Sequence, residues 1–136
     1  MKILHGGEMI NSRRKGHSFE RDLCRVLRSV FPDIERSLEG SMADQNGVDL
    51  MNTGNLAIQA KRGRKYAPLN KIEEVKSDKI AVLITRGDQK KAMACLYLED
   101  FLKIIQDIGE VYYEDRTING PRQERAVNEQ SELPNS

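Results

Sequence analysis

A chain of 136 residues is long enough to bury one hydrophobic core without disulfide or metal staples, and 38% hydrophobic with 32% charged residues excludes collagen-like and wholly disordered chains. No apolar run is long enough to cross a bilayer, two cysteines make no disulfide framework, and the opening MKILHGGEMINSRRKG lacks the apolar stretch of a secretory signal. The net charge of +1 hides an asymmetry: residues 1–65 carry twelve Lys and Arg against eight Asp and Glu, residues 66–136 ten against thirteen.

These features lead us to expect a cytoplasmic protein with no membrane partner. A single domain over residues 1–115, with a mobile stretch at 1–12, should precede a polar, disordered tail at 116–136, where apolar residues are too sparse to offset chain entropy. Cys24 and Cys95 fall in apolar periodic segments and are expected to fill the core.

In chain order, Phe19, Leu23, Val26, Leu27, Val30 and Phe31 follow helical spacing until Pro32. The helix starts at Ser18 as N-cap or earlier, near Ser12, with Gly16 inside it. At about 100° per residue Glu20 falls inside the apolar sector, so its carboxylate should have a Lys, Arg or metal partner or be protonated, unless it reaches out to water from the stripe's edge. The stretch PDIERSLEGSMADQ supplies an edge strand and a loop, and Val48–Met51 and Leu56–Arg62 read as a hairpin.

Period two puts Leu56, Ile58 and Ala60 on one face of the second strand and Ala57, Gln59 and Lys61 on the other. A three-residue loop at Thr53, Gly54 and Asn55, or a bulge, sets Asp49 opposite Gln59; loops of two or four residues set it opposite Ile58. We predict the former. A turn at Pro68 and a short helix with Ile72 and Val75 inward follow. KIAVLIT reads as a central strand covered on both faces, and AMACLYL as its antiparallel neighbour. EDFLKIIQDIG predicts a second packing helix, with Phe101, Leu102, Ile105 and Ile108 inward and Gly109 just past its end. The expected fold is a mixed α/β sheet flanked by helices.

Asp49, Gln59, Lys61 and a helical Glu20 are the residue types that phosphodiester cleavage requires. Hard oxygen ligands recruit Mg²⁺, and a lysine sets a point charge beside the phosphate. The backbone carbonyl of Ala60 can complete such a metal site. The runs Arg13, Arg14, Lys15 and Arg62, Arg64, Lys65 could meet a polyanion.

The segments KGHSFERDL (15–23), GVDL (47–50) and IQAKR (58–62), with Arg36 and Ser41, resemble the PD-(D/E)XK nuclease superfamily. The likeness is to its small Holliday-junction-resolvase-like members and spans roughly residues 13–105. That resemblance implies a restriction-endonuclease-like core with Glu20, Asp49, Gln59 and Lys61 in catalysis. It also implies Mg²⁺ or Mn²⁺ on Asp49, Gln59, Glu20 and the Ala60 carbonyl, Arg36 and Ser41 near the DNA backbone, a homodimer, and a four-way DNA junction as substrate. Two departures stand out: Val48 replaces the proline before Asp49, and Gln59 replaces the usual acid, removing a negative charge from the metal site. Alternatives are a nuclease of flaps, nicks or single strands, and a nuclease-fold DNA-binding protein with weakened cleavage.

Overall fold

The computed structural model describes the backbone of residues 2–118 and the side chains of residues 14–109. Two compact units divide between Tyr97 and Leu98.

In the first unit, helix α1 (Lys2–Leu27) begins well before Ser18. It closes where the N–H groups of Val30 and Phe31 both donate to the Leu27 carbonyl, at 2.9 and 2.8 Å. Phe19, Leu23 and Cys24 form its buried stripe, with Leu27 and Phe31 at the margin. Val26 and Val30, expected on that stripe, are 65% and 66% exposed. Val26 sits at the stripe's edge and Val30 lies beyond the last helical turn, so neither inherits the buried face.

The sheet holds five strands in spatial order β1 (Glu35–Arg36), β2 (Leu50–Met51), β3 (Leu56–Arg62), β4 (Ile80–Arg86) and β5 (Met93–Cys95). Neighbours are antiparallel except β3 and β4, which run parallel and are joined by a crossover over residues 63–79. The sheet is therefore mixed, as expected. The segment expected to be only a loop after β1 also holds a single helical turn, α2 (Met42–Gln45), with Ser41 as its N-cap.

Each sheet face has its own cover. Leu50, Ile58, Val82 and Ile84 pack with Phe19, Leu23, Cys24 and Ile34 in one cluster beneath α1. On the other face Ala57, Gln59, Leu83 and Thr85 are buried under the crossover, whose 3₁₀ turn (Leu69–Glu74) contributes the buried Ile72. The Ala67 N–H donates to Thr85 Oγ1 at 2.8 Å, tying the crossover to β4. Leu83, fully buried in the middle of KIAVLIT, confirms a central strand covered on both sides. Of the two cysteines, both free, Cys24 lies in the core and Cys95 is half-buried.

Gly47 explains part of the GVDL segment. Its φ is +77°, and a Cβ there would stand 2.6 Å from the Glu74 carbonyl oxygen. Lys76 N–H donates to the Asn46 carbonyl at 2.8 Å nearby, so the end of the 3₁₀ turn is clamped to the loop that precedes Asp49.

The second unit contains helix α3 (Leu98–Ile118). Two expectations need correction here. The helix runs through Gly109 rather than ending at it, since one glycine costs only about 1 kcal/mol against the helix-compatible residues beyond. Phe101, Leu102, Ile105 and Ile108, expected inward, are 45%, 48%, 45% and 65% exposed. The tail from residue 119 onward lies outside the described residues, as do the side chains before Arg14. Among the described residues no helix is long and apolar enough to cross a membrane.

Candidate active site

The hairpin sets Asp49 against the strand that carries Gln59 and Lys61. Leu50 pairs with Ile58, while Asp49, one residue before β2, donates its N–H to the Ile58 carbonyl and so bulges out of the ladder instead of standing squarely opposite Gln59 as expected. The connection is shaped by left-handed Asn52 (φ 64°) and Gly54 (φ 60°) and by the buried Thr53, whose hydroxyl donates to the Leu56 carbonyl at 2.8 Å.

Asp49 stands where β2 leaves β3. Its N–H donates to the Ile58 carbonyl and its carbonyl accepts from Ser37 N–H, both at 2.8 Å. One step earlier the chain has turned away, with Val48 N–H bonded to the Ala43 carbonyl. The N–H of Ala60 thereby loses a backbone partner, and Asp49 Oδ2 accepts it at 2.7 Å. N–H and C=O of one strand residue point to the same side, so the Ala60 carbonyl faces the same gap. Burial pushes the Asp49 carboxyl up to about 6, with Glu20 and Asp44 adding to the rise and the Ala60 N–H and Lys61 opposing it.

Gln59 is 2% exposed. Its Nε2 donates to Glu74 Oε1 at 3.1 Å, while its Oε1 is buried with no hydrogen-bond partner. The contact to a carboxylate fixes which end of the amide is which, because the reverse orientation would face oxygen to oxygen. Lys61, two residues on and on the same face, sets Nζ 3.5 Å from the same Glu74 oxygen, and Lys71 Nζ lies 3.2 Å from the other. Lys71 and Lys61 hold the Glu74 carboxyl below the usual carboxylate range.

Glu20 finds the cation its place on the apolar stripe calls for: Arg36 Nε donates to Glu20 Oε2 at 3.2 Å, with the Glu20 side chain 15% exposed. Arg36, expected near the DNA backbone, is thus engaged across β1 and α1. Ser41, also expected there, caps α2, its Oγ accepting Asp44 N–H at 3.3 Å. Sequence reasoning read the residue but missed the cap signal, a serine with an acidic residue three positions on.

The basic residues separate. Arg14, Lys15 and Arg62 line one cavity of about 380 Å³ between α1 and the ends of β3 and β4, together with Ser18, Asp22 and Arg86. Arg62 donates to Asp88 Oδ1 at 2.9 Å and to the carbonyls of Gly63 and Arg86, and Lys15 Nζ lies 3.5 Å from Asp88. Arg86 was not singled out from the sequence, because a lone arginine ending an apolar strand gives no signal until the strand pairing brings it beside Arg62. Arg64 and Lys65 are exposed beyond β3, and the Arg13 side chain lies outside the described residues.

Among the described residues no group of three His, Cys, Asp or Glu side chains lies close enough together to hold a metal ion. The oxygens at the candidate site are instead the Asp49 carboxylate and the Ala60 carbonyl at the β2–β3 gap and the amide oxygen of Gln59, buried next along β3. All are hard donors of the kind Mg²⁺ and Mn²⁺ accept, and the orphaned Gln59 Oε1 is an acceptor in want of a cation or a donor. Comparison with protein-family models, with curated proteins and with solved structures finds no match for this chain.

Proposed function

We propose that the chain is a metal-dependent DNA endonuclease with a restriction-endonuclease-like core, similar to Holliday junction resolvases and acting on branched DNA as a two-fold homodimer. The observation that carries this reading is the Asp49 carboxylate lodged against β3 at the Ala60 N–H, with the buried Gln59, whose oxygen has no partner, and Lys61 on either side of Ala60 in the strand.

In that reading Asp49, Gln59 Oε1 and the Ala60 carbonyl hold a divalent cation, which when bound supplies Lewis acidity for attack of water on the scissile phosphate. Lys61 stabilises negative charge as the phosphate becomes five-coordinate, exchanging its contact with Glu74 for one with a phosphate oxygen. Glu20 raises the local negative potential and, held by Arg36, fixes α1 against β1 beside the site. Arg14, Lys15, Arg62 and Arg86 take neighbouring phosphates of the strand, so recognition rests on backbone charge and is salt-dependent.

Gln59 favours one alternative, a DNA-holding protein of the same fold in which cleavage is weakened by the missing carboxylate. A labelled four-way junction and its linear duplex control, incubated with Mg²⁺, Mn²⁺ or EDTA, decide between the two. Paired, metal-dependent cuts in the junction that vanish in Lys61→Ala are expected. Tight junction binding without cuts supports the alternative. Cuts of equal rate in duplex and junction refute the branched substrate, and no binding to any DNA at low salt refutes both.

A further inference from the structure

The basic cluster between α1 and the ends of β3 and β4 already holds an anion of its own. Arg62 and Arg86 are paired positions of the parallel strands, and Arg14 and Lys15 of α1 line the same cavity. Like charges at paired strand positions destabilise, so this cluster calls for a negative charge. Among the described residues the only carboxylate within ion-pair distance of Arg62 or Lys15 is Asp88, 2.9 Å from Arg62 Nη1 and 3.5 Å from Lys15 Nζ. Asp22, which also lines the cavity, is engaged by Arg25 at 3.1 Å.

Asp88 lies in the turn between β4 and β5, and that turn is held by bonds other than its carboxylate. Asp88 N–H donates to the Arg64 carbonyl at 3.0 Å and Lys90 N–H to the Gly87 carbonyl at 3.2 Å. Arg86 Nε donates to the Lys90 carbonyl at 2.8 Å and the Tyr66 hydroxyl to the Lys91 carbonyl at 2.7 Å. The two partners of the ion pair differ in freedom. The Arg62 side chain is 16% exposed and also donates to the Gly63 and Arg86 carbonyls, whereas the Asp88 side chain is 45% exposed. The guanidinium is therefore fixed, and the carboxylate can rotate into water while the turn stays in place.

Resting on the nuclease reading above, we propose that Arg62 and Lys15 form a phosphate subsite which Asp88 fills in the free protein and from which a phosphate of the bound DNA strand displaces it. Carboxylate and phosphate offer the same kind of charged acceptor oxygen to a guanidinium, so one replaces the other without rebuilding the site. Asp88 neutralises the cluster while DNA is absent, and the apparent affinity for DNA is reduced by the fraction of molecules in which the subsite is filled. Removing its charge should accordingly lower stability and raise affinity, two effects of opposite sign from one substitution.

The test is fluorescence anisotropy of a labelled four-way junction titrated with the full chain at low salt in EDTA. Wild type, Asp88→Asn, Arg62→Gln, the double variant of these two, and Asp78→Asn are compared. Asp78, exposed and just before the start of β4, gives the same change of net charge at the far end of that strand. Asp88→Asn should bind about three- to tenfold more tightly than wild type, the scale of a charge-assisted contact at a partly exposed site, and should melt at a lower temperature without DNA. Combined with Arg62→Gln the gain should vanish, because the subsite is gone. Junction binding by wild type with no gain in Asp88→Asn, a gain no larger than that of Asp78→Asn, or a gain that persists beside Arg62→Gln would overturn the role of Asp88 and leave the nuclease reading intact. No junction binding by wild type or by Asp88→Asn would overturn both.

Discussion

Replacing Asp49 by Asn should stabilise the metal-free protein at neutral pH. Burial raises the Asp49 carboxyl from an ordinary 3.8 to about 6. Between those values the folded chain holds a proton that the unfolded chain has released, so stability falls as pH rises through this window and the loss is complete above it. The gap corresponds to at most about 3 kcal/mol at 1.36 kcal/mol per pH unit. Asn removes that penalty, and its carbonyl oxygen can still accept the Ala60 N–H that Oδ2 now accepts at 2.7 Å. Thermal and urea melts in EDTA should therefore show Asp49→Asn more stable than wild type at pH 7.5 by up to about 3 kcal/mol, or roughly 10 °C. The two proteins should converge at pH 4, where wild-type Asp49 is protonated when folded. Excess Mn²⁺ at pH 7.5 should narrow the gap by stabilising wild type alone. Equal stabilities at both pH values, or a gain that does not change with pH, would show that Asp49 is not a strained carboxylate and would refute the reasoning.

Gly47→Ala should destabilise by about 2 kcal/mol or more in urea unfolding, since it combines a left-handed residue with a Cβ 2.6 Å from the Glu74 carbonyl oxygen. Ser41→Ala should lose about 1 kcal/mol of stability with no change in the salt dependence of DNA binding, because the hydroxyl caps α2. Arg86→Ala should weaken DNA binding and make the slope of log affinity against log salt shallower by about 1, as measured by fluorescence anisotropy across a salt series.

What could be read in advance follows the range of the interactions involved. The register of the hairpin was legible because period two and the turn residues Thr53, Gly54 and Asn55 act over a few positions, and Leu50 does pair with Ile58. The buried Leu83 and the antiparallel β5 followed from a β-branched run and a turn. Glu20 announced its need for a cation by its phase on the helix, but nothing in its neighbourhood named Arg36, which pairs with it across sixteen positions of sequence. The exposure of the α3 stripe was not legible, because periodicity shows that a face is apolar and not that anything covers it. Arg86 and Glu74 were invisible because their neighbours are set by tertiary pairing: each joins its site only through the parallel alignment of β3 with β4 and the crossover that this alignment forces.

The amide at position 59 is consistent with the electrostatics of its surroundings. A glutamate there, in a place 2% exposed, would bury a charge that desolvation opposes near neutral pH. It would also meet Glu74, to which Gln59 now donates its only side-chain hydrogen bond among the described residues. Gln59 keeps a neutral amide at the buried position while the negative charge stands on Glu74, half-exposed and flanked by Lys61 and Lys71, where ionisation is favoured rather than opposed. Gln59→Glu should accordingly cost on the order of 3 kcal/mol at pH 7.5 without metal, the scale of a buried glutamate whose pKa is driven up by about two or more. The loss should shrink at pH 4.5, where the introduced carboxyl is protonated and can donate its O–H to Glu74 as the amide does. Equal stability of this variant and wild type across that pH range in EDTA would show that the site tolerates a further buried charge and that the amide is not there to avoid one.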